Sequence, residues 1–202
     1  IGVSRPDGYE LAEKSFHEIN GFRQGMFLRA RDATKPVLLY LHGGLPELFL
    51  ARRFAPELES EFVVCWWEQR GSGLSYRPGM SPGDVTTEQL ISDTLAVTDH
   101  LRQRFGAERI FLLGHSGGSY LGLLAVARSP DRYHAYVGIG QMANQLRSEK
   151  SAYDYMLERC RREGRRRERG AARGVARAAA QGAVAARLRE RRELDGLPRA
   201  AG

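Results

Sequence analysis

The stretch that decides the fold is Arg109-Ile-Phe-Leu-Leu-Gly-His-Ser-Gly-Gly-Ser-Tyr-Leu-Gly122. Its first part, Ile110 to Leu113, is a short continuous apolar run, which is typical of a strand buried on both faces of a parallel sheet. The next residues, Gly114 to Gly118, match G-x-S-x-G, in which a serine occupies a tight turn between a strand and a helix. Small residues flank such a serine because a Cβ atom two positions away would collide with the neighbouring backbone. The stretch therefore predicts a strand, a sharp turn that exposes the Ser116 hydroxyl, and a helix.

The five-residue pattern by itself also fits a glycine-rich connection that carries no chemistry. Two features favour a nucleophile at Ser116 instead. One is the apolar strand before it, and the other is the helical spacing of Leu121, Leu124 and Ala125 after it. The following helix would also place the positive end of its dipole near the hydroxyl.

Strands and helices alternate on both sides of this stretch. An Asn20-Gly21 turn predicts a hairpin of two short strands, and further strands are predicted at Val37–Leu41, Phe62–Trp67 and 135–139. Helices are predicted at 47–58, from Thr86 or Thr87 to Gly106, and at 117–128. This order predicts an α/β fold with a mostly parallel sheet between helices, in which Val37–Leu41, Phe62–Trp67 and Ile110–Leu113 are parallel central strands.

The composition of the 202 residues fits one domain with a sizeable core, at residues 1–150, and the start of another region at 151–202. No apolar run is long enough to span a bilayer, so no membrane partner is expected. The two cysteines, Cys65 and Cys160, are far apart, and Cys65 lies in an apolar run, which indicates a reduced core residue and a cytoplasmic location. Nothing in the sequence predicts a cofactor or a metal site.

The positive charge is concentrated at the end of the chain. Residues 159–202 contain 14 Arg against 5 Asp and Glu, which leaves 17 basic and 19 acidic residues before them in a chain of net charge +7. Three interpretations of this Arg/Ala-rich tail are open: the beginning of a helical cap, a nucleic-acid-binding arm, or translation in the wrong frame after about residue 158. The last is favoured, because evolved nucleic-acid arms usually mix Lys with Arg and include aromatic residues, and the tail has neither. Nucleic acid is therefore not the expected partner.

Taken together, the motifs resemble the α/β-hydrolase fold and, more narrowly, its proline iminopeptidase (prolyl aminopeptidase)-like branch. The resemblance extends over about 16–155 and rests on His42-Gly43-Gly44, on Trp67-Glu-Gln-Arg-Gly-Ser-Gly-Leu-Ser75 and on Gly114–Gly118, each at the end of a predicted strand. It implies a serine hydrolase, most simply an aminopeptidase that acts on a short peptide by acyl transfer. An esterase or another small-molecule hydrolase on the same fold, or a catalytically inactive fragment, is the alternative.

The resemblance also implies a role for each matching residue. Ser116 would be the nucleophile, and the N–H groups of Gly44 and Gly117 would form the oxyanion hole. The Glu68 loop would be structural; an ion pair between Glu68 and Arg70 is the simplest form of that role. The residues expected to support the site are His42, Gly43, Gly114, His115 and Gly118.

The sequence departs from the family pattern in two places. Leu45-Pro46-Glu47 follows the glycine pair, where the family has a proline and a further glycine. In this fold the triad acid and base follow the nucleophile in the chain, yet the only histidine after Ser116 is His134, at the start of a predicted strand. The sequence therefore predicts a formed nucleophile site with little or no turnover.

Overall fold

A computed structural model describes residues 8–48 and 57–163. These residues separate into two compact units, with the division after Ala143. The first unit contains strands β1 (Leu11–Ile19), β2 (Phe22–Ala30), β3 (Val37–Leu41), β4 (Val63–Glu68), β5 (Ile110–His115) and β6 (Tyr133–Ile139), and helices α1 (Leu58–Glu61), α2 (Thr87–Phe105) and α3 (Gly117–Arg128). The described part of the second unit contains α4 (Gln145–Arg162).

The six strands form one sheet in the order β1-β2-β4-β3-β5-β6. Strands β4, β3, β5 and β6 are mutually parallel, whereas β2 is antiparallel to both β1 and β4. The predicted parallel centre is thereby confirmed, as is the α/β class. Because parallel strands end at one edge of the sheet, the segments that follow β3, β4, β5 and β6 meet there, and this edge is where open α/β sheets bind ligands.

Both long helices of the first unit begin and end at the signals that the sequence predicts. The Thr86 side chain accepts a hydrogen bond from the Gln89 N–H at 3.1 Å and caps α2, and Gly106 ends the helix in a left-handed conformation. The inward face of α2 packs with α3 and one face of the sheet; the fully buried members of this core include Leu39, Leu41, Cys65, Trp67, Ile91, Val97, Leu101 and Leu112. The Cys65 thiol is free, and burial raises its pKa above the ordinary value.

A buried carboxylate, Asp93, joins the hairpin to helix α2 and the segment after β4. Arg70 donates to both of its oxygens, at 2.6 and 3.0 Å, and three amide side chains donate at 2.7 to 2.9 Å: Asn20, Gln24 and Gln89. Burial alone would raise the Asp93 pKa, but these hydrogen bonds outweigh it and the net shift is downward. We call Asp93 and its four donors the Asp93 hub.

The hub corrects one expectation. Arg70 forms its ion pair with Asp93, and the Glu68 carboxylate instead accepts from the Leu74 N–H. Glu68 and its loop are structural, as expected, but they act through backbone hydrogen bonds. The Asn20-Gly21 turn is confirmed, since both residues have positive φ, as a two-residue hairpin requires.

Two predicted segments lie outside the described residues, namely most of the helix at 47–58 and the Arg/Ala-rich tail beyond residue 163. Within the described ranges, none of the helices combines the length and the apolar character that a bilayer span requires.

Candidate active site

Ser116 occupies the sharp turn between β5 and α3. Its backbone angles are φ 52° and ψ −120°, a combination that residues other than glycine rarely adopt. Its N–H donates to the carbonyl oxygen of Ile139 at the end of β6, at 2.8 Å. The strained turn is therefore held between β5, β6 and α3, which is the geometry expected of a serine on a strand-to-helix turn.

Glycines allow the backbone to pass close to this turn. A Cβ atom on Gly118 would lie 2.2 Å from the Leu41 carbonyl oxygen, and one on Gly114 would lie 2.6 Å from the Gly118 carbonyl oxygen. On the other side, a Cβ on Gly43 would lie 2.9 Å from the Ser116 Cβ and 3.4 Å from its Oγ. The structure thus brings Gly43, Gly114 and Gly118 together around Ser116, and each close approach explains the glycine found there.

Ser119, in the first turn of α3, connects the turn at Ser116 to the segment after β6. This residue is fully buried, and its Oγ donates to the Ser116 carbonyl at 2.5 Å and accepts from the Met142 N–H at 3.0 Å. Its own carbonyl accepts from the Tyr136 hydroxyl at 2.6 Å. The sequence pattern G-x-S-x-G ends one residue before Ser119, so motif matching does not reveal this role.

The two predicted oxyanion donors belong to different elements. Gly117 is the first residue of α3, where backbone N–H groups lack partners within the helix. A Cβ on Gly117 would lie 4.0 Å from the Gly43 Cα, so the loop after β3 runs alongside the start of this helix. Gly44 stands in open space, with no described residue within 4 Å of a Cβ built there. Both residues follow the close contact between Gly43 and Ser116, and the role of their N–H groups toward a bound oxyanion stays a prediction.

His42 is a structural residue that anchors the start of this loop. Its Nε2 accepts the Gln69 backbone N–H at 3.1 Å, and its Nδ1 lies 2.9 Å from the Gly43 carbonyl. Because Nε2 must accept, the ring hydrogen is on Nδ1. Burial lowers the His42 pKa, which keeps the ring neutral. His42 therefore has no free basic nitrogen to offer Ser116.

His115 points its ring toward the far end of the same loop. Its Nδ1 lies 2.7 Å from Oε1 of Glu47, whose other oxygen accepts from the Tyr40 hydroxyl. The sequence pattern does not assign a functional role to Glu47, and its contact with His115 is visible only in the structure. The His115 ring thus contacts a carboxylate and not the Ser116 side chain, and its predicted role in supporting the site stays a prediction.

None of the five histidines serves as a base for Ser116 in the described parts of the chain. His17 and His100 stack on each other with ring centroids 4.2 Å apart, and His134 lies on β6 against Phe111 at 5.1 Å. The Ser116 Oγ makes no hydrogen bond to any residue within 8–48 and 57–163. Those ranges also contain no group of three or more His, Cys, Asp or Glu residues that could hold a metal ion.

Comparisons with known proteins indicate the family of the chain. The family of serine aminopeptidases, S33, matches residues 32–162, which is more than half of the chain. A probable aminopeptidase, YbaC, of Bacillus subtilis (strain 168) is 36% identical over 155 residues, which cover 76% of this chain and 49% of that protein. The chain therefore spans about half the length of the curated relative that it matches.

Solved structures show the same fold. The chain is similar to a proline iminopeptidase-related protein of Thermus thermophilus, with a TM-score of 0.56 and 27% identity, covering 66% of this chain and 46% of that one. It is also similar to an epoxide hydrolase of Vigna radiata, with a TM-score of 0.53 and 27% identity, covering 64% of this chain and 40% of that one. The six-stranded sheet is accordingly part of an α/β-hydrolase fold. The family match and the curated relative show that the chain belongs to the serine aminopeptidase S33 family of α/β-hydrolases.

Proposed function

We propose that Ser116 is the nucleophile of a serine hydrolase that works by acyl transfer. The observation that carries the proposal is the backbone of Ser116, a residue with a side chain held at φ 52° and ψ −120° on a strand-to-helix turn. Such strain persists only where surrounding contacts impose it, and strained residues cluster at functional sites. The Ser116 hydroxyl would attack a carbonyl carbon, and the resulting oxyanion would be stabilised by the Gly117 and Gly44 N–H groups.

The substrate class that we propose is a short peptide with a free N-terminus. The support is the S33 family match and the 36% identity to a probable aminopeptidase over most of this chain. Attack by Ser116 on the first peptide bond would release the shortened peptide as an amine and leave the N-terminal residue as an acyl-enzyme, which water then hydrolyses. This activity is proposed for the whole protein.

For the 202 residues alone, we expect little or no turnover. A serine hydroxyl is a weak nucleophile near neutral pH unless a base accepts its proton, and each of the five histidines is engaged elsewhere or remote. Loss of the triad with an intact oxyanion hole leaves a residual acceleration on the order of 10³–10⁴ over water in well-studied serine proteases.

The test supplies the missing base from solution. The purified chain is incubated with a serine-directed phosphonate, and the labelled residue and the rate are read by mass spectrometry at increasing imidazole concentrations. We expect slow labelling of Ser116 that rises in proportion to free imidazole and disappears in Ser116→Ala. The matched control is Ser129→Ala, a serine beyond the end of α3, which should label like the wild type. Labelling at other serines only, or a rate that ignores imidazole, would contradict the proposal.

A second candidate is a small-molecule hydrolase on the same fold. It is favoured by the structural similarity to an epoxide hydrolase at 27% identity. The same imidazole series with prolyl and ester substrates separates the candidates, because only the correct class should show turnover that depends on Ser116. An epoxide should show no such turnover, because attack by a serine hydroxyl would leave an ether that water does not hydrolyse.

A further inference from the structure

The loop that follows β3, from His42 to Glu47, is anchored at both ends by side chains. His42 fixes the beginning of the loop through two hydrogen bonds from Gln69. The Gln69 backbone N–H donates to the His42 Nε2 at 3.1 Å, and the Gln69 side-chain amide donates to the His42 carbonyl oxygen at 2.9 Å. Glu47 fixes its end through Tyr40 and His115. Between the two anchors lie only four residues, Gly43 to Pro46, and they include the predicted oxyanion donor.

The end anchor connects the loop to two strands at once. Tyr40 is the penultimate residue of β3, and His115 is the last residue of β5, directly before Ser116. The Glu47 side chain is only 14% exposed, whereas the His115 side chain is 40% exposed. Glu47 therefore connects the end of the loop to β3 and to the residue before Ser116.

The hydrogens in this bridge can be assigned. An ionised carboxylate only accepts hydrogen bonds, so the hydrogen between Glu47 and His115 belongs to the His115 Nδ1. Burial, reinforced by Glu47, raises the pKa of Tyr40, so that its hydroxyl remains a donor. Glu47 therefore accepts both hydrogen bonds, from His115 at Oε1 and from Tyr40 at Oε2.

We propose that Glu47 is a positioning residue for acyl transfer, which holds the Gly43-Gly44 turn beside Ser116 through its bonds to His115 and Tyr40. The inference rests on the proposed function in assigning an oxyanion role to Gly44. The proposal that Glu47 keeps the loop ordered does not depend on that oxyanion role.

The first experiment measures the order of the loop by NMR on the full 202-residue chain. We expect a backbone order parameter of about 0.8 or more at Gly44 in the wild type and below about 0.6 in Glu47→Ala. In Glu47→Gln the amide oxygen can still accept from Tyr40, while the amide NH₂ can donate to His115. Order should therefore be retained, and the ring hydrogen of His115 should move from Nδ1 to Nε2, which the ring ¹⁵N shifts report.

The matched control is Glu59→Ala. Glu59 is also a buried carboxylate that accepts from a tyrosine hydroxyl, that of Tyr9, and from the Trp66 indole at 2.9 Å, but neither of these hydrogen bonds reaches the loop. We expect this variant to lower the thermal midpoint and to leave the Gly44 order parameter unchanged. An unchanged order parameter in Glu47→Ala, loss of order in both alanine variants, or loss of order in Glu47→Gln would each overturn the proposal. A wild-type His115 with its hydrogen on Nε2 would also overturn it.

The second experiment connects the loop to chemistry. With imidazole present, the rate of Ser116 phosphonylation should fall about tenfold in Glu47→Ala, the effect of losing a charge-assisted hydrogen bond, and should change less than about twofold in Glu47→Gln and Glu59→Ala. If Ser116 is labelled at the same rate in the wild type and in Glu47→Ala, Glu47 does not position the loop for the reaction. If Ser116 of the wild type is not labelled at all, the proposed function fails, and the NMR measurements still decide whether Glu47 orders the loop.

Discussion

The surroundings of Ser116 and the Asp93 hub are both polar, but different groups make the contacts in each. Ser116 is partly exposed, whereas Asp93 is fully buried. Around Ser116, backbone meets backbone: Gly118 lies against the Leu41 and His42 carbonyls, and Gly43 against the serine itself. Around Asp93, side chains make the contacts, with a guanidinium and three amides converging on one carboxylate.

The difference shows which kind of change each region tolerates. The turn at Ser116 has no room for an added methyl group at Gly114 or Gly118, although few side-chain hydrogen bonds hold it. The Asp93 hub depends on charge, since removal of the carboxylate would leave the buried Arg70 guanidinium without its counterion. One region is therefore sensitive to volume, and the other is sensitive to charge.

The largest effect is expected for Gly118→Ala. Its Cβ would lie 2.2 Å from the Leu41 oxygen and 2.6 Å from the His42 oxygen, and neither backbone atom can move without displacing β3. We expect a loss of about 5 kcal/mol in the free energy of unfolding, enough to prevent folding of a marginally stable domain. Gly44→Ala, where a Cβ meets no described residue, should change it by less than about 0.5 kcal/mol. Urea denaturation of both variants checks this contrast, and equal losses would refute the steric explanation.

The next effect is that of Asp93→Ala. Removing one partner from a buried ion pair costs about 3–5 kcal/mol, because the other charge stays buried without compensation. The matched control is Asp99→Ala, whose ion pairs with Arg102 and Arg132 are partly exposed and should contribute less than about 1 kcal/mol. If the two variants unfold at the same urea concentration, burial of the hub does not matter to stability.

A smaller and opposite effect is expected for Ser116→Gly. Glycine adopts positive φ without strain, so this variant should gain about 1–2 kcal/mol of stability, while Ser116→Ala keeps a Cβ and gains little. Differential scanning calorimetry distinguishes the two. A gain that is equal for both variants would mean that the hydroxyl, and not the backbone conformation, is the source of the strain.

The smallest effect is a difference between the two regions in pH dependence. Burial lowers the pKa of His42, and the unfolded chain therefore binds this proton more readily than the folded one. The stabilisation is complete above the unfolded value of about 6.5 and is lost as the pH falls below it. His17 and His100, whose pKa values are also lowered chiefly by burial, add to the same loss.

The Asp93 pKa is lowered as well, but its unfolded value is about 3.9, so the stabilisation by the hub disappears only below about pH 4. Thermal midpoints measured from about pH 8 to about pH 3 should thus decline in two steps. His42→Gln should reduce the first step, and Asp93→Asn the second. A single step, or a first step that His42→Gln leaves intact, would remove His42 from this explanation.

The sequence predicts the scaffold around Ser116 better than the contacts between its loops. Continuous apolar runs such as Ile110–Leu113, the Thr86 cap and the Gly106 stop are local signals, and they place the central strands and α2 correctly. The position of Ser116 follows from its five-residue motif. These features depend on neighbours in the chain, which is why a single sequence reveals them.

The partners of charged residues could not be predicted in the same way. Arg70 binds Asp93, 23 residues away, instead of the nearby Glu68, and Glu47 binds His115 across 68 residues. Such pairs depend on the strand order β4-β3-β5, in which strands distant in sequence become neighbours. The structural role of His42 required the hydrogen bonds to both of its ring nitrogens, and these too are set by tertiary contacts.

The two free thiols provide a built-in measure of how often the first unit opens. Cys65 is fully buried on β4, with its Sγ 3.7 Å from the Met26 Sδ, and it cannot react with an alkylating reagent until the sheet comes apart. Cys160, on α4, is partly exposed and can react directly. When opening and reclosing are fast, the ratio of the two alkylation rates gives the equilibrium constant for opening of the sheet. The same molecule therefore carries both the reporter and its internal reference.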